Sequence, residues 1–206
     1  MKLFYVPNTC AIAPHIALLE AGLPFKLELV NLAAGKKLSD GSSYFSVNPK
    51  GYVPALGLDD GETISEVAVI LQVIADLKPE AKLAPPNGTR ERVRLQELLV
   101  FIATELHKNM SPLYQKYSSD DFKAQWIAGK LEARWALLDS LVEGKPFVFG
   151  DSFTIADAYA FYVLRSWQGA ALKGDLSKWK HLAEYWKRLN ERPSVKAAIA
   201  AQAPKV

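Results

Sequence analysis

The stretch 79–88 constrains this chain more than any other part of it. It holds Pro79, Pro85, Pro86, Asn87 and Gly88, residue types that break helices and strands and favour turns. Ahead of it, strand-like and helix-like runs alternate. Behind it, no strand signal of any strength occurs. The chain therefore divides into an α/β unit (1–78), a linker (79–88) and an all-helical unit (89–206). A length of 206 residues lets one large domain or two small ones bury a core.

The first unit reads in order. Lys2–Val6 is short, aromatic and aliphatic, which predicts a strand. Thr9 is a candidate cap for a helix running through Ile12, Ile16 and Leu19 to Gly22, with Pro14 tolerated in its first turn. Phe25–Asn31 alternates as a second strand, and Lys36–Ser43 is a polar loop. Val53–Leu58 and Glu62–Ile64 flank Asp59-Asp60-Gly61, a hairpin signal. Val69, Ile70, Val73, Ile74 and Leu77 then recur at helical spacing. The order is β-α-β, an irregular segment, and β-β-α.

In the second unit a long helix is predicted from Thr89 to about Tyr117. Ser118-Ser119-Asp120-Asp121 caps another, which reaches about Glu143. Phe153-Thr154-Ile155-Ala156-Asp157 resembles a capping box with Asp in place of Glu. Helices near Lys178–Asn190 and Ser194–Ala201 follow, and Lys205–Val206 is expected to fray.

Charge narrows the function. A net charge of +3, from 25 basic and 22 acidic residues, gives no basic stripe for nucleic acid. No apolar run is long enough to span a membrane. The polar residues and Pro7 and Pro14 near the start do not suit a signal peptide. One cysteine, Cys10, fits a reducing compartment, and a cytoplasmic location is expected. Three scattered histidines give no metal-ligand spacing, so no metal is expected.

Three segments carry candidate chemistry. Cys10 stands where the first strand hands over to the first helix. Helix N–H groups there favour a thiolate, so its pKa is expected to fall. Alternatively, the site binds another molecule's thiolate, or Cys10 is an inert buried cysteine. In Lys50-Gly51-Tyr52-Val53-Pro54, a cis Pro54 would turn the Val53 main chain towards an extended peptide; a plain turn is the other reading. Ser65-Glu66-Val67 opens a helix whose N–H groups can hold a carboxylate, while Glu66 can accept from an ammonium; an ordinary cap is equally compatible. A peptide with a thiol, an ammonium and carboxylates suits all three, and glutathione is such a peptide. Lys36 and Lys37 are candidates for its glycine carboxylate.

These residues resemble the bacterial beta-class glutathione S-transferases along essentially the whole chain. The likeness rests on Met1–Tyr5 with Cys10 and Ala13-Pro14-His15-Ile16-Ala17-Leu18, and on Asn48-Pro49-Lys50-Gly51 with Val53-Pro54-Ala55-Leu56. It continues in Phe101–Lys108 and Phe153–Tyr159. It implies a thioredoxin-like N-terminal domain (β-α-β-α-β-β-α) and a helical C-terminal bundle. It also implies a cytoplasmic homodimer with a glutathione site in each N-terminal domain. Cys10 would lie beside the glutathione sulfur. Tyr52, Val53 and Pro54 would meet its backbone, and Glu66 and the Val67 N–H its γ-glutamyl end. His107 and Lys108 would approach the sulfur, with Cys10 and His107 as the catalytic pair. Thr154 and Asp157 would be structural. Relatives usually carry Ser or Gly at the position of Val67, often Asn at that of Val100, and often Ser at that of Ala11.

The implied activity is activation of the glutathione thiol for attack on a small electrophilic or disulfide co-substrate. Alternatives are monothiol disulfide reduction through Cys10, or a non-catalytic binding or regulatory protein. Trp167, Tyr114, Tyr117 and Met110 are candidate apolar walls, although such residues at helical spacing more often fill a core.

Overall fold

A computed structural model describes residues 1–203; Lys205–Val206 lie outside the described residues. Strands β1 (Lys2–Tyr5), β2 (Lys26–Leu29), β3 (Ala55–Gly57) and β4 (Thr63–Ser65) form one sheet in the order β2-β1-β3-β4. β1 and β2 are parallel, joined by helix α1 (Ile12–Ala21), whereas β3 is antiparallel to both its neighbours. Helix α2 (Val67–Leu77) follows β4. Side chains alternate across the sheet, so Leu3 joins the main core and Phe4 the opposite face, with Val30, Tyr44 and Ala55. This is the thioredoxin-like arrangement. Between β2 and β3 the helix of the usual formula is reduced to one 3-10 turn, Tyr44–Ser46. The polar residues of 31–43 supply no apolar face on which a longer helix would pack.

The rest is helical. Helix α3 (Arg90–Phe101) runs into a π-helical turn (Ile102–His107), helix α4 (Lys108–Met110) and a 3-10 turn (Ser111–Tyr114). Helix α5 (Asp120–Trp126) is capped by the Ser119 side chain, which accepts from the Phe122 N–H, and passes through a second π turn (Ile127–Leu131) into α6 (Glu132–Val142). Helices α7 (Ile155–Gln168), α8 (Lys180–Glu191) and α9 (Pro193–Gln202) complete the bundle.

Every residue of α7 from Ile155 to Leu164 is buried, and α1 packs on α2, α7 and α9. One apolar core therefore runs from the sheet into the bundle. Polar clamps lock the same junction. The Ile155 N–H donates to Leu83 O, and Arg192 makes two hydrogen bonds to Glu20 (2.9 and 2.8 Å).

The start of α1 differs from expectation. The helix begins at Ile12 behind an N-cap Ala11 with no side-chain bond. Thr9 donates its hydroxyl to Val6 O (2.7 Å) and accepts from the Ala11 N–H (3.4 Å), one residue short of the helix. Its side chain braces the β1–α1 loop, and Cys10 sits in the turn ahead of the helix.

Candidate active site

A cavity of about 450 Å³ gathers segments far apart in the chain. Cys10 comes from the β1–α1 loop; Lys50, Tyr52, Val53 and Pro54 from the approach to β3; Ser65, Glu66 and Val67 from the β4–α2 junction. Thr104, His107 and Lys108 come from the π turn and α4, and Tyr159 from α7. Eight of the ten candidate residues thus share one cleft: Cys10, Tyr52, Val53, Pro54, Glu66, Val67, His107 and Lys108. The ninth, Lys36, lies beside it, with its ammonium 5.1 Å from the Phe45 ring centroid and 5.8 Å from that of Tyr52. Lys37 bridges Asn31 and Ser43 through its backbone.

The segment before β3 is tightly held. The Val53–Pro54 bond is cis. The carbonyl of Tyr52 accepts from the buried Tyr44 hydroxyl (2.8 Å) and from Asn48 Nδ2 (2.7 Å). Gly51 has φ +67°, and a Cβ there would stand 2.5 Å from Phe45 Cε1, so a side chain would displace that ring. Among the described residues the Val53 N–H has no hydrogen-bond partner, and it is available to a ligand.

One consequence is testable. Tyr44→Phe should cost about 1 kcal/mol in urea unfolding, because Asn48 still serves the Tyr52 carbonyl. Combining it with Asn48→Ala strips that carbonyl of both donors and should cost more than the two single changes added. Simple additivity would show that the two donors act independently.

Glu66 adopts φ +71° just ahead of α2, a conformation that is costly for a residue with a Cβ. The first N–H groups of α2 lie next to it, without intrahelical acceptors. Lys50 Nζ lies 2.7 Å from Glu66 Oε1 and 3.1 Å from Ser65 Oγ. Lys50 was not singled out from the sequence; a lysine in a loop carries no signal until its partner is known.

Cys10 departs from expectation. Its Sγ–H donates to the Val53 carbonyl at 3.4 Å rather than facing the start of α1. Burial pushes the thiol up to about 12; its own backbone N–H opposes the rise and the Glu66 carboxylate adds to it. The rise runs against the expected fall: burial outweighs the backbone N–H that favours the thiolate, and α1 begins two residues beyond the sulfur.

His107 is enclosed by tyrosines. Its Nδ1 is 2.9 Å from the Tyr159 hydroxyl and its Nε2 is 3.2 Å from that of Tyr162. Burial first, then the Lys108 charge, lowers its pKa to about 4, so the ring is neutral at pH 7. A neutral ring has one N–H, so one hydroxyl accepts from it and keeps its own proton for another acceptor. Burial, and next the charge of Cys10, raises both tyrosine pKa values. Neither tyrosine was picked out from the sequence, since each lies more than fifty residues beyond His107.

Of the candidate wall residues, Met110 and Trp167 are buried in the core and Tyr117 is exposed. Tyr114 lines a second cavity, beyond Tyr162. Among the described residues, no group of three or more His, Cys, Asp or Glu could hold a metal ion, and no helix is long and apolar enough to cross a membrane.

Comparison with known proteins bears on this arrangement. Residues 9–77 match the glutathione S-transferase N-terminal domain and residues 104–202 the glutathione S-transferase C-terminal domain. The chain is 41% identical to glutathione S-transferase GstA of Escherichia coli O157:H7 over 98% of each chain. It is similar to the structure of a sphingomonad glutathione S-transferase complexed with glutathione (39% identity, TM-score 0.92, all of both chains). It is also similar to the bacterial beta-class glutathione S-transferase of Sphingomonas chungbukensis (42% identity, TM-score 0.90, 98% of this chain and 99% of the other). With both domains matched and the fold shared from end to end, the chain belongs to the glutathione S-transferase family.

Proposed function

We propose that the protein is a glutathione transferase that binds glutathione in the cleft of its thioredoxin-like domain and activates the thiol for attack on an electrophile. The observation that carries this is the meeting of Cys10, the unpaired Val53 N–H and Glu66 with the start of α2 around one cavity of about 450 Å³. That volume suits a small peptide. The Val53 main chain pairs with the peptide backbone. The Glu66 carboxylate takes the ammonium, displacing Lys50. The N–H groups of Val67 and Ala68 take the γ-glutamyl carboxylate. Tyr52 covers the backbone, and Lys36 beside it is placed for the glycine carboxylate.

Chemistry follows from the charges. A neutral His107 supplies no cation to the sulfur, so the positive charge in the cleft comes from its lining lysines, Lys50 and Lys108. Protonated Cys10 and a tyrosine hydroxyl held by His107 are the hydrogen-bond donors. The glutathione thiolate attacks the electrophilic carbon, a C–S bond forms, the leaving group departs with its electron pair, and the thiol proton passes to solvent. The protein acts as a cytoplasmic homodimer; Val93 and Val100, exposed seven residues apart on α3, supply apolar surface for a second copy.

Isothermal titration tests the site directly. Wild-type protein should bind glutathione, and Glu66→Gln should weaken binding about tenfold, because a charge-assisted pair becomes a neutral one at an exposed position. Absence of heat and of thermal stabilisation at millimolar glutathione would remove the basis for an enzyme and leave a non-catalytic scaffold.

A further inference from the structure

We propose that the second cavity receives the electrophilic co-substrate by a carboxylate, and that Arg165 is the side chain that recognises it. The inference rests on the reading of the first cleft as the glutathione site and adds a substrate class to it: aromatic electrophiles that carry an anionic group.

The cavity holds about 530 Å³ and is lined by Asn8, Tyr114, Tyr162, Arg165, Ser166 and Trp186, among others. No acidic side chain lines it. It meets the first cleft at the His107–Tyr162 hydrogen bond, since His107 lines one cavity and Tyr162 the other.

Arg165 is the anomaly that calls for a ligand. Other partly or fully buried guanidinium groups have anionic or carbonyl partners: Arg92 pairs with Asp76, although its Nε is left without an acceptor, Arg134 with Glu105 and Arg192 with Glu20, and Arg188 donates to the carbonyls of Lys145 and Pro146. Among the described residues Arg165 makes one hydrogen bond, from Nη2 to the neutral Asn8 side chain at 3.3 Å, and no ion pair. Partial burial lowers its pKa, the signature of a cation drawn out of water without a counter-charge. A carboxylate would offset that cost through the planar, two-pronged geometry that guanidinium favours. The Tyr114 and Ser166 hydroxyls, bonded to each other, and Tyr162 add polar partners for nitro or carbonyl groups. Trp186, stacked on Phe161 with ring centroids 5.2 Å apart and planes at 16°, gives the cavity a flat aromatic wall.

The test compares two electrophiles of matched shape, 4-chloro-3,5-dinitrobenzoate and its neutral carboxamide. In both, the glutathione thiolate displaces chloride from the ring and the thiol proton goes to solvent. After correction for uncatalysed rates, wild-type kcat/KM should favour the carboxylate. In Arg165→Met the carboxylate-to-carboxamide ratio should fall about tenfold or more, mainly through KM for the carboxylate, and Arg165→Lys should recover part of it. An unchanged ratio, even with both rates lowered, would overturn the inference and leave Arg165 as a brace for the Asn8 loop. Binding is read separately with 3,5-dinitrobenzoate, which lacks a leaving group, in the absence of glutathione. Preferential binding over 3,5-dinitrobenzamide that disappears in Arg165→Met supports the site even if glutathione fails to bind. Equal affinity for the two overturns it, even where glutathione binds normally and the transferase reading stands.

Discussion

Replacing Asp157 with alanine is expected to cost about 3–5 kcal/mol of stability, the scale of breaking a buried polar network. Asp157 is fully buried and its two oxygens collect four donors. Oδ1 accepts from the Val148 N–H (2.8 Å) and the Tyr185 hydroxyl (2.6 Å); Oδ2 accepts from the Thr154 N–H (2.8 Å) and hydroxyl (3.0 Å). One carboxylate thus ties the loop after α6, the start of α7 and the middle of α8. Alanine leaves buried donors without acceptors as well as a void. Burial raises the Asp157 pKa against the pull of its bonds. A folded value above the unfolded one means that this group's contribution is greatest below about pH 3.9 and declines as pH rises through the folded value. Urea unfolding at neutral pH is the measurement. A midpoint close to that of wild type would mean that the four bonds add nothing net. Asp157→Asn, which keeps one acceptor oxygen, should lose less than alanine.

Asp157 also shows what a sequence can and cannot disclose. Thr154 and Asp157 stand three residues apart, and their relation is a local pattern. The Tyr185 hydroxyl that completes the cluster comes from another helix and has no local signature. The cleft divides in the same way. Pro54 ahead of a strand, Glu66 at a helix start and Cys10 after β1 were legible because backbone geometry within a few residues determines what each can do. The ionisation of Cys10 was not, because it depends first on burial and then on the Glu66 carboxylate, both of which only the folded chain brings to the sulfur. His107 could be assigned to the cleft by resemblance, yet the tyrosines that occupy its nitrogens lie on α7. The π turn over Ile102–His107 gave no periodic warning, since one extra residue in a turn barely disturbs an apolar stripe. Arg165 was overlooked because an arginine near the end of a helix is ordinary until its neighbours prove to lack a carboxylate.

The state of Cys10 leads to the second large effect. With its thiol pushed up to about 12, the free protein should react with iodoacetamide at pH 8 about a thousandfold more slowly than an unperturbed cysteine, whose pKa is about 8.5. Glutathione brings a second sulfur alongside, and two adjacent sulfurs resist carrying charge together. On the proposed reading the proton is expected to stay on the sulfur that burial and Glu66 hold neutral, with the glutathione sulfur as the thiolate and Cys10 as its donor. Cys10→Ala then removes one hydrogen bond from the nucleophile, a loss of about 1 kcal/mol, and conjugation should survive within about tenfold. The same thiol links stability to pH. Its folded pKa lies above the unfolded one, so its contribution is complete below about pH 8.5 and is lost as pH rises towards about 12; Cys10→Ala should flatten that part of the profile. If Cys10 of the free protein is instead alkylated as fast as a simple thiol, and its alanine variant loses more than a thousandfold in turnover, the nucleophile is Cys10 itself and the chemistry is disulfide reduction.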